Sequence, residues 1–245
     1  MTIAFIHIGK TGGTSIDRML KLKVKRYKEY HCTNTYNNNE KYIIWIRNPI
    51  SRFCSAFNNS YYGIHTNVNE IKQFDLKHCL LPHTMKTAKN RSYVFSPRYD
   101  SLMKEFTSAN HLAESLSSED TVLRGKAIEL MNFTVAHLKK GIGWYLNNGE
   151  FIQSNNNKIL FVGKLETMKQ DIGMLSTKLG VVLDNNIYLR ENVYVDKSMK
   201  YLSPVAIQNI INWYKDTDYA ALQQLYTHGW ITKETLDSYY TYNTE

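Results

Sequence analysis

The chain has little cysteine and no long apolar run. Cys32, Cys54 and Cys79 are the only cysteines in 245 residues. An odd set without C-x-x-C spacing excludes a disulfide-framed secreted scaffold and reads as free thiols in a reducing compartment. Neither His78, Cys79 and His83 nor His31 with Cys32 has a second pair at zinc-site spacing, so no metal is expected. No segment approaches the uninterrupted apolar length needed to span a bilayer. Met1 is followed almost at once by an apolar strand-like run, leaving no room for a signal peptide or anchor, so the expectation is a cytoplasmic protein in the first place and an excised domain in the second. Asn58, Asn90 and Asn132 begin glycosylation-type triplets, which without an export signal read as coincidences of an Asn-rich chain. No internal repeat is evident.

Acid is also scarce relative to base. Thirty Lys and Arg against 22 Asp and Glu give a formal net charge of +8. That balance favours anionic partners, among them nucleic acid, acidic glycan, a membrane surface or a multiply charged nucleotide, and says nothing about fold. The length suits one α/β domain with a substantial core, here residues 1–245 with an irregular acceptor-binding lobe at about 63–117.

Two short segments carry most of the chemistry. In the first, Phe5 to Ile8 form an apolar run that ends in Gly9-Lys10-Thr11-Gly12-Gly13-Thr14-Ser15. Gly12 and Gly13 let the backbone turn tightly and bring bare N–H groups against an anion, and Thr14 and Ser15 can cap the following helix. A helix N-terminus binds phosphate or sulfate readily, and Lys10 and the hydroxyls add charge and directional bonds. In the second, Ile43 to Ile46 lead into Arg47-Asn48-Pro49-Ile50-Ser51-Arg52-Phe53-Cys54-Ser55. Pro49 suits the first turn of a helix, so Arg47 stands at the strand end and Ser55 about two turns into the helix. A guanidinium fork and a helical hydroxyl so placed can grip a second phosphate. Arg52, about a turn into that helix, reads as a helix-surface or ion-pair residue.

The ATP or GTP phosphate loop is the obvious competitor, because Gly9-Lys10-Thr11 satisfies the end of G-x-x-x-x-G-K-[ST]. That loop needs Gly where this chain has Ala4, and a loop where this chain has Phe5 to Ile8. The Gly-Gly pair here follows the Lys instead of preceding it, which points to a different cradle.

With these residues in view, the first segment resembles the 5′-phosphosulfate loop of sulfotransferases that use 3′-phosphoadenosine 5′-phosphosulfate (PAPS), particularly the carbohydrate type with its His-Ile-x-Lys-Thr-Gly-Gly-Thr wording. The second resembles the family's 3′-phosphate motif, with Asn48 in place of the usual Asp. Val162-Gly163-Lys164-Leu165-Glu166 followed by Asp171 is a weaker third match, in which Glu166 and Asp171 organise a helix N-terminus. The resemblance is specific over about residues 3–62. It implies that Lys10 contacts the bridging and leaving-group oxygens, that Thr11, Gly12, Gly13, Thr14 and Ser15 hold the 5′-phosphosulfate, and that Arg47 and Ser55 bind the 3′-phosphate. PAPS would be the co-substrate, 3′-phosphoadenosine 5′-phosphate (PAP) the product, and a glycan or other hydroxyl-bearing molecule the acceptor. The acceptor proton needs a base. Glycan-sulfating relatives place a catalytic His between the two motifs, where His31 stands, and imidazole titrates near neutral pH. Glu29 is the alternative, since other branches use a carboxylate. His7 reads as a structural residue at the strand end, and His65, His78 and His83 come into play only if the lobe folds over the site.

Elsewhere the pattern is coarser. Residues 21–41 read as helix end and loop. A helical pattern runs from Ser118 through Ile128, Met131, Val135 and Leu138 to a stop near Gly141 and Gly143. Ile159 to Val162 read as a buried strand, Thr167 to Leu179 as a helix ended by Gly180, and Ser203-Pro204 as a helix start followed by Ile207, Ile210, Ile211 and Tyr214 on one face. Lys197, Lys200 and Tyr201 read first as a solvated loop, although relatives cover the adenosine with a late basic loop. Alternating apolar strands and helices predict an α/β fold, a parallel sheet with helices on both faces and the ligand beyond the carboxyl ends of the strands. The resemblance adds a P-loop nucleotide-kinase-like, helix-rich sulfotransferase core. The competing functions are a small-molecule or nucleotide kinase, disfavoured by Ala4 and by the Arg47/Ser55 pair, and a non-enzymatic acidic-polymer-binding module. No basic-aromatic interleaving of the RNA-binding kind is present, so no specific nucleic acid is expected.

Overall fold

A computed structural model of the protein describes residues 1–65, 97–133, 137–184 and 197–242. His78, His83, Cys79 and Asn90 lie outside the described residues, as do Val135 and the side chain of His65. Four parallel strands, β1 (Thr2–His7), β2 (Tyr27–His31), β3 (Glu40–Ile46) and β4 (Ile159–Lys164), form one sheet in the order β2-β1-β3-β4. β1 and β3 occupy the centre because their side chains are apolar on both faces: Ala4, Phe5, Ile6 and Tyr42 to Ile46 are fully buried. Helix α1 (Gly13–Lys23) and α8 (Met168–Leu179) cover one face, packing with Phe5, Ile43, Trp45 and Phe161. On the other face α2 (Pro49–His65) contributes Ile50, Phe53 and Phe57 to the larger core built on Ala4, Ile6, Ile44 and Ile46. That core extends through α3 (Pro97–Glu105), α4 (Ala109–Ser115), α5 (Thr121–Met131), α6 (Ile142–Tyr145), α7 (Glu150–Asn155), α9 (Pro204–Tyr214), α10 (Ala220–Thr227) and α11 (Lys233–Ser238).

Helix boundaries follow local chemistry. Ser203 accepts from the Ala206 N–H at 3.2 Å with Pro204 in the first turn, and Gly180 at φ 65 ends α8 with Val181 N–H bonded back to Ser176 O. Three expectations are corrected. Residues 21–41 contain β2, an edge strand whose polar sequence Tyr-Lys-Glu-Tyr-His buries only Tyr30 fully and so lacks an apolar signature. The long helix from Ser118 is the shorter α5, capped by Asp120 instead and finished at Asn132. Ile128, taken as part of its apolar stripe, is exposed. The segment 97–115, placed in an irregular lobe, is two helices that bury Tyr99, Leu102, Met103 and Leu112. Among the described residues no helix is long and apolar enough to cross a membrane.

Candidate active site

The loop between β1 and α1 and the loop between β3 and α2 emerge side by side from the carboxyl end of the sheet, because β1 and β3 are hydrogen-bonded neighbours. Gly12 is the N-cap of α1 at φ 80, and no side chain caps the helix, so its N-terminal donors and positive dipole end face the loop. Thr14 and Ser15, expected as caps, stand inside the first turn instead. Thr11 is buried and its hydroxyl donates to Ile8 O at 2.9 Å, which commits its proton to the loop itself. Lys10 is held at φ 71, a left-handed conformation that costs a non-glycine residue about 1 kcal/mol or more. Its ammonium crosses to α2 and donates to Asn59 Oδ1 at 2.8 Å. Asn59 was not anticipated, although it follows Ser55 by one turn on the same helix face.

Arg47, at the end of β3, donates from Nη1 to Lys10 O at 3.2 Å, so the second loop braces the first. Burial lowers its pKa, opposed by the charge of Glu166. Ser55 is buried in α2. Asn48 caps α2 by accepting from Ile50 N–H at 2.8 Å, while its amide donates to Ser238 O and Thr241 O at 3.3 and 2.9 Å. Glu166 accepts from Asn48 N–H at 2.8 Å and from the Tyr239 hydroxyl at 2.9 Å, and Asp171 accepts from Lys164 N–H and Thr167 Oγ1. Those two carboxylates organise the β4–α8 junction and the last segment of the described chain. Near α2, Asn58 donates to Met199 O and the Tyr242 hydroxyl to Lys200 O, which sets the late basic segment beside the second loop.

The parallel register pairs His7 with His31 and Phe5 with Glu29, so β2 delivers both candidate bases next to the first loop. His31 Nδ1 lies 2.9 Å from His7 O, and a carbonyl can only accept, so the Nδ1 proton is fixed there and Nε2 keeps the lone pair. The His7 and His31 rings lie 4.2 Å apart. Glu29 bonds His7 Nδ1, and although burial works to raise its pKa, the hydrogen bond and charge of His7, helped by His31, hold the carboxyl below its ordinary value. His7 is thus more than a strand-end residue. It anchors both candidates and fills the space beside Gly13, where a Cβ would come within 2.0 Å of its ring. Ligand atoms of His7, Glu29 and His31 lie within 4.8 Å of one another, a spacing a metal ion can use, with the His7–Glu29 hydrogen bond occupying two of them. Cys32, at φ 57, has its thiol pKa raised by burial but lowered further by His31, Lys140 and Tyr145, for a net fall.

Two features went beyond the sequence reading. Arg52, read as a helix-surface or ion-pair residue, is fully buried, 3.4 Å from Asp218 and bonded through Nη1 to His137 O at 2.8 Å. Asp218 sits in a π-helical turn, Lys215–Tyr219, and also accepts from Gly143 N–H. His137 stands 6.1 Å from His31, ring to ring. The one sequence hint was a histidine ahead of Gly141 and Gly143, whose spacing marks a turn and not the end of a long helix.

The model of the family described as "Sulfotransferase family" matches residues 1–228. No curated protein and no solved structure gives a significant match to the chain.

Proposed function

The chain belongs to the sulfotransferase family, and from that premise we propose that it transfers the sulfuryl group of PAPS to a hydroxyl of an acceptor, most plainly a carbohydrate, and releases PAP. The observation that carries the reading is the cross-bracing of the two loops: Arg47 holds the Lys10 carbonyl while the Lys10 ammonium reaches Asn59 on α2. One cation at each loop, together with the uncapped N-terminus of α1, suits a nucleotide with phosphates at both ends. In this reading the α1 N-terminus and Lys10 take the 5′-phosphosulfate, and Arg47 and Ser55 the 3′-phosphate.

Sulfuryl transfer resembles phosphoryl transfer, in which the protein mainly positions the reactants and stabilises charge. The acceptor oxygen forms a bond to sulfur as the bond from sulfur to the 5′-phosphate oxygen breaks. The acceptor proton passes to His31 Nε2, the nitrogen left basic by the bond to His7 O. Lys10 stabilises the negative charge that appears on the leaving oxygen. Glu29, engaged with His7, supports the pair instead of taking the proton itself.

Calorimetry with PAP and with AMP tests the nucleotide half. Loss of the 3′-phosphate should weaken binding by about 10-fold or more, since a desolvated charge-assisted contact is worth about 1.5–3 kcal/mol. Equal affinities would remove the reading's support. Labelled sulfate transfer from PAPS, screened across glycans, phenols and peptides, tests the acceptor.

A further inference from the structure

His137 carries an imidazole that no motif includes. Among the described residues its Nδ1 is sealed from solvent and has no hydrogen-bond partner. The seal is Gly9, where a Cβ would fall 2.3 Å from that nitrogen, so the ring is docked directly on the first residue of the anion loop. Arg52, itself gripped by Asp218, holds the His137 carbonyl. The second motif therefore aims this ring at the first. Burial lowers the pKa, with the charges of Lys10 and Arg52 acting the same way, so the imidazole is neutral. An unmet acceptor is better tolerated than an unmet buried N–H, which leaves the single proton on Nε2. His137 is then a fixed neutral donor flanked by Lys10, assigned to the leaving oxygen, and His31, assigned to the acceptor proton. The group in transfer lies between those two.

We propose that His137 is a ligand of the transferring sulfuryl group, donating from Nε2 to one of its non-bridging oxygens. The proposal rests on the PAPS reading above. A neutral donor suits this place: it stabilises sulfuryl oxygens without competing with Lys10 for the leaving oxygen or with His31 for the acceptor proton.

PAPS carries the sulfuryl group and PAP does not, so comparing their affinities isolates this contact without any acceptor. In the full chain, His137→Phe keeps a ring but no donor, and His137→Gln keeps a neutral donor. Calorimetry should show His137→Phe binding PAPS about 10- to 100-fold more weakly, as expected for one hydrogen bond to a charged group, with PAP affinity unchanged. His137→Gln should recover part of the PAPS affinity, and it serves alone if the Phe variant does not fold. An unchanged PAPS affinity in both variants, or a loss shared equally by PAP, overturns the assignment. Equal affinity of the wild-type chain for PAP and AMP overturns the nucleotide reading, and this assignment falls with it.

Discussion

At the scale of single residues, the two candidate bases on β2 differ in what each already holds. Glu29 is committed to His7, whereas His31 engages the His7 carbonyl through Nδ1. His31→Ala should therefore lower the transfer rate by about two to four orders of magnitude with PAP binding intact, the range for loss of a general base. Glu29→Gln should reduce the rate far less. The same residue carries a stability signature. Its folded pKa lies below the ordinary 4.5, so its contribution is complete above that pH and is lost as pH falls through the folded value. Acid unfolding of Glu29→Gln followed by circular dichroism should accordingly show a shallower loss below pH 4.5 than the wild type. A Glu29→Gln chain that is inactive beside an active His31→Ala would reverse the two roles. Lys10, the glycines and Arg47 were legible in the sequence as candidates because anion binding by backbone and fixed charge needs those residue types in a short contiguous stretch. His137 and Asn59 were not, since each comes beside those candidates only through packing of elements distant in sequence.

Elements were legible where burial or capping dictated them. β1 and β3 are continuous apolar runs, α9 opens with Ser203-Pro204, and α8 closes on Gly180. β2 was missed because an edge strand needs only one apolar contact, and with it went the physical reason that Glu29 and His31 adjoin His7. The start of α2 gives the sharpest test at this scale. Asn48, which departs from the family's Asp, uses its carbonyl as cap and its amide as donor to Ser238 O and Thr241 O. An Asp keeps the cap but turns two donations into oxygen against oxygen. Asn48→Asp should thus cost about 1–3 kcal/mol in denaturant unfolding, although Asp is the better partner of a helix N-terminus. An unchanged or raised stability would show that the bonds to the last segment contribute nothing.

For the whole molecule, a formal charge of +8 accompanies the proposed nucleotide site. Long-range attraction should speed encounter with an anionic nucleotide, and salt should screen it, since the Debye length falls from about 10 Å at 0.1 M to about 3 Å at 1 M. Stopped-flow association of PAP should therefore slow steeply with added salt, more than dissociation quickens. A salt-independent association rate would mean that the charge lies away from the approach path.

The strand order carries one more consequence, for how the chain comes to hold its shape. β1, β2, β3 and both anion loops lie within the first 65 residues, yet β4 must return from Ile159 to pair beside Tyr42. Closing that long stretch costs more chain entropy than the nearer pairings, so the fold has an early-forming half and a late-docking edge. Glu166 arrives with the late edge, and it is the carboxylate that takes the Asn48 N–H. The two loops can be drawn together before the clamp beneath the second of them exists, and the candidate site is complete only once the last strand docks.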